Sequence, residues 1–238
     1  MKEKSKAFKA AFPHTIPVFT GFTFLGAAYG ILMNSKGYGV GWTALFSSIV
    51  LAGSAQYVVI NFLTSIFNPI YALLMTLLIN ARHLFYGISM LDRYKNTGRL
   101  KPYLIFGLCD ETFSILCSVE PPEDVNRNWF MFFVTLLNHS YWVFGSVLGG
   151  LLGSVISFNI EGLDFVLTAL FVVTFVGQWK AQRDHKPAII GVLCSVVCLA
   201  IFGQSNFIIP SMITILAVLT MSRKGYMDNK ELAEEKIQ

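Results

Sequence analysis

WTALFSSIVLAGSAQYVVINFLTSIF, residues 42 to 67, is apolar enough to enter a bilayer, yet Gly53-Ser54-Ala55-Gln56 interrupts it near the middle with small and polar residues. Lipid cannot satisfy the N–H and C=O groups that a helix break sets free, so irregular backbone at membrane depth persists only inside protein or along a cavity. The stretch is therefore read as a broken, re-entrant helix, and its interruption as a candidate site.

The surrounding composition is that of an all-α integral membrane protein. Of 238 residues, 54% are hydrophobic and 13% charged, about half the charged fraction of an ordinary soluble domain. Apolar runs lie at about 14 to 33, 42 to 67, 69 to 91, 103 to 119, 129 to 157, 163 to 179, 187 to 202 and 206 to 221. Most approach the roughly 20 residues that span a bilayer core, which leaves one membrane domain over 1–238 and almost nothing for a soluble one. No small-residue cleavage site follows the basic N-terminus, so the first run is expected to be a retained helix. The net charge of +4 does not point to nucleic acid, because the basic residues fall in short loops and tails. Cys109, Cys117, Cys194 and Cys198 all lie in apolar runs; Cys194 and Cys198 are one turn apart, but no His or carboxylate accompanies them. They are read as small buried hydrophobes, with no metal and no disulfide implied.

Loop charge gives an expected orientation. The N-terminal tail (Lys2, Lys4, Lys6, Lys9), the 92–102 loop (Arg93, Lys95, Arg99, Lys101), the 180–186 loop (Lys180, Arg183, Lys186) and the C-terminal tail (Arg223, Lys224, Lys230, Lys236) are basic. All four are expected in the cytoplasm, and the mostly acidic EPPEDVNRN at 120–128 outside. If every run crossed, three crossings would place the 92–102 loop outside, so one run must turn back, and 42–67 is the candidate. The second half echoes the first: GAAYGILM (26–33) resembles GSVLGGLL (145–152), and TALFSSIVLAGSAQ (43–56) resembles TALFVVTFVGQWKAQ (168–182). A second re-entrant run at 163–179 returns the 180–186 loop and the C-terminus to the cytoplasm. The expected architecture is about six full transmembrane helices plus two broken segments as an inverted repeat, 14–119 and 129–221, with a cytoplasmic tail at 222–238. The alternative is seven or eight plain transmembrane helices. Gly26 with Gly30, and Gly145, Gly149 and Gly153, are small-xxx-small spacings that let helices approach closely.

An ionisable residue within a membrane helix costs about 2.5 to 3.5 kcal/mol on insertion scales, so it faces a partner or a cavity. Arg82, His83, Asp110, Glu111 and His139 meet that description. Asn80 and His83 share one helix face, and Arg82 and Tyr86 a neighbouring one. Arg82 stands about ten residues, roughly 15 Å, before Asp92, too deep to snorkel easily. It needs a buried partner, which is Asp110, Glu111 or a substrate carboxylate; an ion pair with only a structural role is the plainer reading. Asp110 and Glu111 point about 100° apart, so one can face a pathway while the other holds Arg82. A carboxylate at low dielectric is a candidate proton carrier. His139, beside Asn138, reads equally as a hydrogen-bonded core histidine. Gln178 and Trp179 stand in the second expected break, although an interfacial tryptophan explains Trp179 as well.

The sequence contains no Gly-x-Ser-x-Gly elbow, His-Glu-x-x-His motif or P-loop, so no enzyme is expected; a channel, a transporter of another small solute and a membrane-embedded hydrolase remain as alternatives. LAGSAQ (51–56), NARHLFYGISM (80–90), CDETF (109–113) and GLDFVLTALF (162–171), in that order, resemble the motifs of the AzlC family of branched-chain amino acid exporters. Ala81 stands where leucine is more usual in that family. The resemblance implies export of leucine, isoleucine, valine and in some members methionine or analogues, driven by protons and without a cofactor. It also implies a small AzlD-type membrane subunit as partner. On this reading the backbone at Gly53, Ser54, Ala55 and Gln56 meets the substrate carboxylate, with Asn80, Arg82 and Gln178 as further binding candidates. His83, Asp110, Glu111 and His139 are the candidates for proton coupling or ion pairing.

Overall fold

The computed structural model describes residues 2–66, 68–155, 185–207, 210–211 and 213–221, with scattered positions between 165 and 180. Among them every regular element is helical. The helices are α1 (Lys2–Ser35), α2 (Val40–Ile49), α3 (Gly53–Thr64), α4 (Pro69–Asn80), α5 (Arg82–Met90), α6 (Lys101–Phe106), α7 (Asp110–Ser118), α8 (Arg127–Val155) and α9 (Lys186–Asn206). Two compact units divide the chain, residues 1–169 and 170–238. α1 to α8 form the first unit, and α9 belongs to the second.

Local chemistry sets the helix ends. Gly37, at φ 88°, closes α1, with Gly37 N–H donating to Asn34 O (2.9 Å) and Tyr38 N–H to Met33 O (3.0 Å), the arrangement in which a left-handed glycine satisfies the last carbonyls. Asn68 Oδ1 accepts from Ile70 and Tyr71 N–H, both at 3.1 Å, with Pro69 opening α4. Asn126 Oδ1 does the same for Asn128 N–H (3.0 Å) and Trp129 N–H (3.3 Å) at the start of α8.

α1 and α8 are the two long helices of the first unit, and they lie side by side in the same direction. Phe8 meets Phe133, Phe19 meets Tyr141 and Phe22 meets Trp142 along the pair. Further on, the backbones touch: a Cβ on Gly26 would lie 2.8 Å from Ser146 N, one on Gly30 2.1 Å from Ser146 O, and one on Gly149 2.0 Å from Ala27 O. The small-xxx-small spacings thus serve a contact within this chain. The two stretches that resemble each other, 26–33 and 145–152, run parallel at one level. This corrects the expected opposite orientation of the repeats. Both stretches supply glycines to one close-packed seam.

The run at 42–67 turns back as expected. α2 starts where Val40 and Thr43 flank Gly150, and α3 starts with Gly53 over the Trp142 ring, a Cβ there being 3.0 Å from Cη2. α3 then returns along α1: Tyr57 OH donates to Leu25 O at 2.8 Å, and Tyr38 OH donates to Leu63 O at 3.0 Å. Both ends of the hairpin lie at the level of Tyr38.

A second hairpin occupies 101–118, which the sequence reading counted as a crossing. α6 climbs along α8, where Tyr103 packs on Phe132 (5.4 Å) and hydrogen-bonds His139 Nδ1 (3.0 Å). After the interruption at Gly107, Leu108 and Cys109, α7 comes back, and Arg93 Nη1 donates to Leu116 O at 2.5 Å. At 6 and 9 residues the two helices measure about 9 and 13 Å, far short of a roughly 30 Å core. The loop beyond them is not on the far side. Lys6 pairs with Asp124 at 2.8 Å, Arg93 with Glu120 at 3.1 Å, and Asn128 Nδ2 donates to Asn96 O at 3.0 Å. The Lys6 hydrogen bond holds the Asp124 carboxyl below the ordinary carboxylate range. The N-terminal tail, the 92–97 loop and the 120–128 loop therefore share one face, correcting the placement of EPPEDVNRN opposite the other two. Acidic residues carry little topological information, which is why its charge misled.

Among the described residues three helices are long and apolar enough to cross a membrane, or four if α4 and α5, bent by 47°, count as one span. The third apolar run, expected as a plain helix, is thus broken at Ala81. The expected break at 163–179 lies largely outside the described residues. A labelling experiment checks the new topology. With the four cysteines replaced by serine, Lys95→Cys and Glu123→Cys should react with an impermeant maleimide from one side of the membrane and Lys36→Cys from the other. Labelling of Glu123→Cys together with Lys36→Cys would refute the second hairpin.

Candidate functional site

Three chain interruptions meet at Arg82. One separates α2 from α3, one bends α4 against α5 at Ala81, and one separates α6 from α7. Arg82 is the first residue of α5. Its Nη2 donates to Ser54 Oγ in the first turn of α3 (3.1 Å), and its Nη1 pairs with Oδ2 of Asp110, the first residue of α7 (2.5 Å). A cation at a helix N-terminus opposes the helix dipole, whereas a carboxylate there is favoured. Asp110 thus suits its own helix and compensates Arg82 on another. The two side chains are 32% and 26% exposed, neither sealed nor in bulk water. Arg82 Nε and Asp110 Oδ1 are buried without a partner. By hydrogen-bond geometry one donor and one acceptor thus remain unmet on this ion pair, with the Tyr86 hydroxyl beside the Asp110 carboxyl.

The first turn of α3 adds further donors. Its N-cap, Ala52, offers no side-chain acceptor, and the helix's bonds begin with Gln56 N–H to Ala52 O (2.9 Å). The N–H groups of Gly53, Ser54 and Ala55 consequently have no acceptor within the helix. Gln56 lies behind them, fully buried. Its Nε2 donates to Phe46 O (3.0 Å) and Val50 O, and its Oε1 accepts from Trp142 Nε1–H (2.8 Å). Phe46 O also accepts Val50 N–H (2.8 Å) at the end of α2, so the amide adds a second bond there and satisfies Val50 O, which lipid would leave bare.

The structure brings Gly53, Ser54, Ala55, Arg82 and Asp110 together, and it selects Asp110 over Glu111 as the ion-pair partner. Glu111 forms no ion pair among the described residues. Asn80, just before the bend, donates from Nδ2 to Thr76 O (3.0 Å), with Oδ1 buried and unpartnered. His83 hydrogen-bonds Asn80 O (3.3 Å) and lines an apolar groove of about 340 Å³ with Leu84, Ile88, Leu91 and Ile105. His139 is bound to the second hairpin through Tyr103 and Phe106, the latter ring at 5.7 Å. Gln178 lies outside the described residues.

Two α8 residues at this level were not singled out as site residues in the sequence. Asn138 Nδ2 donates to Thr112 Oγ1 on the second hairpin (3.1 Å), and one turn later Trp142 holds Gln56 on the first. Both are buried. The available signal was their i, i+4 spacing, which puts two hydrogen-bonding side chains on one face of an apolar helix. Tyr86 stacks on Phe113 at 4.4 Å, fixing α5 against α7.

Comparison with known proteins gives a consistent picture. The family described as AzlC protein matches residues 17–156. The Bacillus subtilis "Branched-chain amino acid transport protein AzlC" is 56% identical over 92% of this chain and 86% of its own length. An uncharacterized membrane protein of Helicobacter pylori strain J99 is 42% identical over 94% of this chain and 98% of that protein. The inner membrane protein YgaZ of Escherichia coli is 26% identical over 83% of this chain and 84% of its own. No solved structure matches the chain. The family match covers more than half of the sequence and the Bacillus relative nearly all of it, so the chain belongs to the AzlC family.

Proposed function

We propose that this chain is a secondary transporter that moves branched-chain amino acids across the cell membrane, holding the substrate as a zwitterion at Arg82 and Asp110. The observation that carries the reading is the pair of unmet polar atoms on one ion pair, Arg82 Nε and Asp110 Oδ1. An α-amino acid presents a carboxylate and an ammonium within about one hydrogen-bond length of each other, and it is complementary to that pair. The free N–H groups of Gly53, Ser54 and Ala55 add an anion-favouring helix N-terminus beside the carboxylate. The Bacillus relative, named for branched-chain amino acid transport, supports the substrate class.

Export is the direction the family resemblance implies, with proton coupling through Asp110 or Glu111 and with a small AzlD-type subunit as partner. The N- and C-termini are assigned to the cytoplasm on loop charge. Asp110→Asn tests the site: it retains the side-chain shape but removes the charge that would hold an ammonium. Leucine binding to purified protein should weaken at least tenfold, and flux from cells coexpressing a small AzlD-type subunit should fall to background. Wild-type affinity in this variant would refute the site. Flux indifferent to a protonophore would refute the coupling.

A further inference from the structure

α8 contacts both hairpins from one face. Trp142 Nε1–H is bonded to Gln56 Oε1 (2.8 Å), and the indole is packed by Phe22 (5.4 Å, edge-on) and Tyr29 (6.3 Å, stacked), while Gly53 rests on its ring. Asn138 bonds Thr112 (3.1 Å), which in turn contacts Cys109 Sγ (3.2 Å) at the start of α7. Thr112 and Gln56 both stand in the first turn of their helices, two and three residues after the first residue. The hairpins enter from opposite faces, so each helix N-terminus is fixed to α8 by a single side-chain bond at the depth of Arg82.

We propose that Trp142 and Asn138 are paired positioning residues for the binding site described above, each setting the helix N-terminus of one hairpin. This inference rests on the proposed amino acid site for its functional consequence, though not for its structural one. Trp142 acts through Gln56. While that amide is held, it caps the carbonyls of Phe46 and Val50, and the N–H groups of Gly53, Ser54 and Ala55 keep their direction. Asn138 acts through Thr112 on Asp110 in the same way. Neither residue touches the ion pair. A carboxylate ligand gains from these donors only if they are already aimed at it, since donors that must reorganise on binding lose affinity to that cost.

The test uses Trp142→Phe, which keeps an aromatic ring and removes the N–H, and Asn138→Leu, which keeps approximate size and removes the amide. Amide hydrogen exchange is followed in the substrate-free purified protein, together with the half-saturating leucine concentration and maximal rate in vesicles. Trp142→Phe should speed exchange about tenfold at Gln56, the first bonded amide of α3, and leave Phe113, the first bonded amide of α7, unchanged; Asn138→Leu should do the reverse. Both should raise the half-saturating leucine concentration more than they lower the maximal rate. General loss of packing would loosen both segments in either variant, and that result, or unchanged exchange in both, would overturn the proposal. If wild-type protein neither binds nor moves leucine, the substrate reading fails, and the exchange pattern alone decides the positioning role.

Discussion

Arg82→Ala is expected to reduce branched-chain amino acid flux at least 100-fold while the protein still reaches the membrane. The side chain bridges the two hairpins, to Ser54 at 3.1 Å and Asp110 at 2.5 Å. On the proposed site, its loss removes a charge-assisted contact to the substrate, and it leaves Asp110 without its cation. A hydrogen bond to a charged group is worth about 1.5 to 3 kcal/mol, and 2.7 kcal/mol is a hundredfold in rate. Arg82→Lys keeps the charge but not the fork, and one ammonium cannot reproduce two divergent donors, so an intermediate loss of about tenfold is expected. The plainer alternative is that the pair only stabilises the fold. Arg82→Ala with Asp110→Ala separates the two: it removes both charges, so it should restore the protein's thermal stability but not its transport. Recovery of transport in the double variant would make the pair purely structural.

Gly30→Leu is expected to abolish folding. A Cβ at position 30 would lie 2.1 Å from Ser146 O and 2.4 Å from Gly150 N, both backbone atoms of α8, so no rotamer change relieves the overlap. α1 would have to separate from α8 along the seam that buries Tyr29, Met33 and Trp142. Overpacking usually costs about 1 to 3 kcal/mol where side chains can shift, and here they cannot. Gly30→Ala should already lower the melting temperature, and Gly30→Leu should leave little monodisperse protein after detergent extraction. Gly21, on the same helix, has nothing within 4 Å of its would-be Cβ, so Gly21→Ala should be tolerated. Equal behaviour of the position 21 and 30 alanine variants in size-exclusion and melting measurements would refute the seam.

The first hairpin was legible because small and polar residues stand in the middle of an apolar run and because loop charge demanded a run that fails to cross. The second escaped notice because its break, Gly107-Leu108-Cys109, reads as apolar and the loop after it is rich in acids, which carry little topological information. Glycine spacing announced close helix approach but not direction, since parallel and antiparallel seams both require it. The burial cost of Arg82 demanded a partner and left Asp110, Glu111 or a substrate carboxylate to supply it. Only the start of α7 decided for Asp110. Trp142 and Asn138 were harder to read for another reason: their i, i+4 spacing puts them on one helix face, but what they hold is settled only by their partners on other elements.

The seam between α1 and α8 has a mechanical consequence. Side chains can exchange rotamers and let two helices slide by small steps, but interlocked glycine backbones have no such freedom. Within the first unit, motion is easier for the described elements outside that seam, the two short hairpins and the helix already bent at Ala81, than for the seam itself.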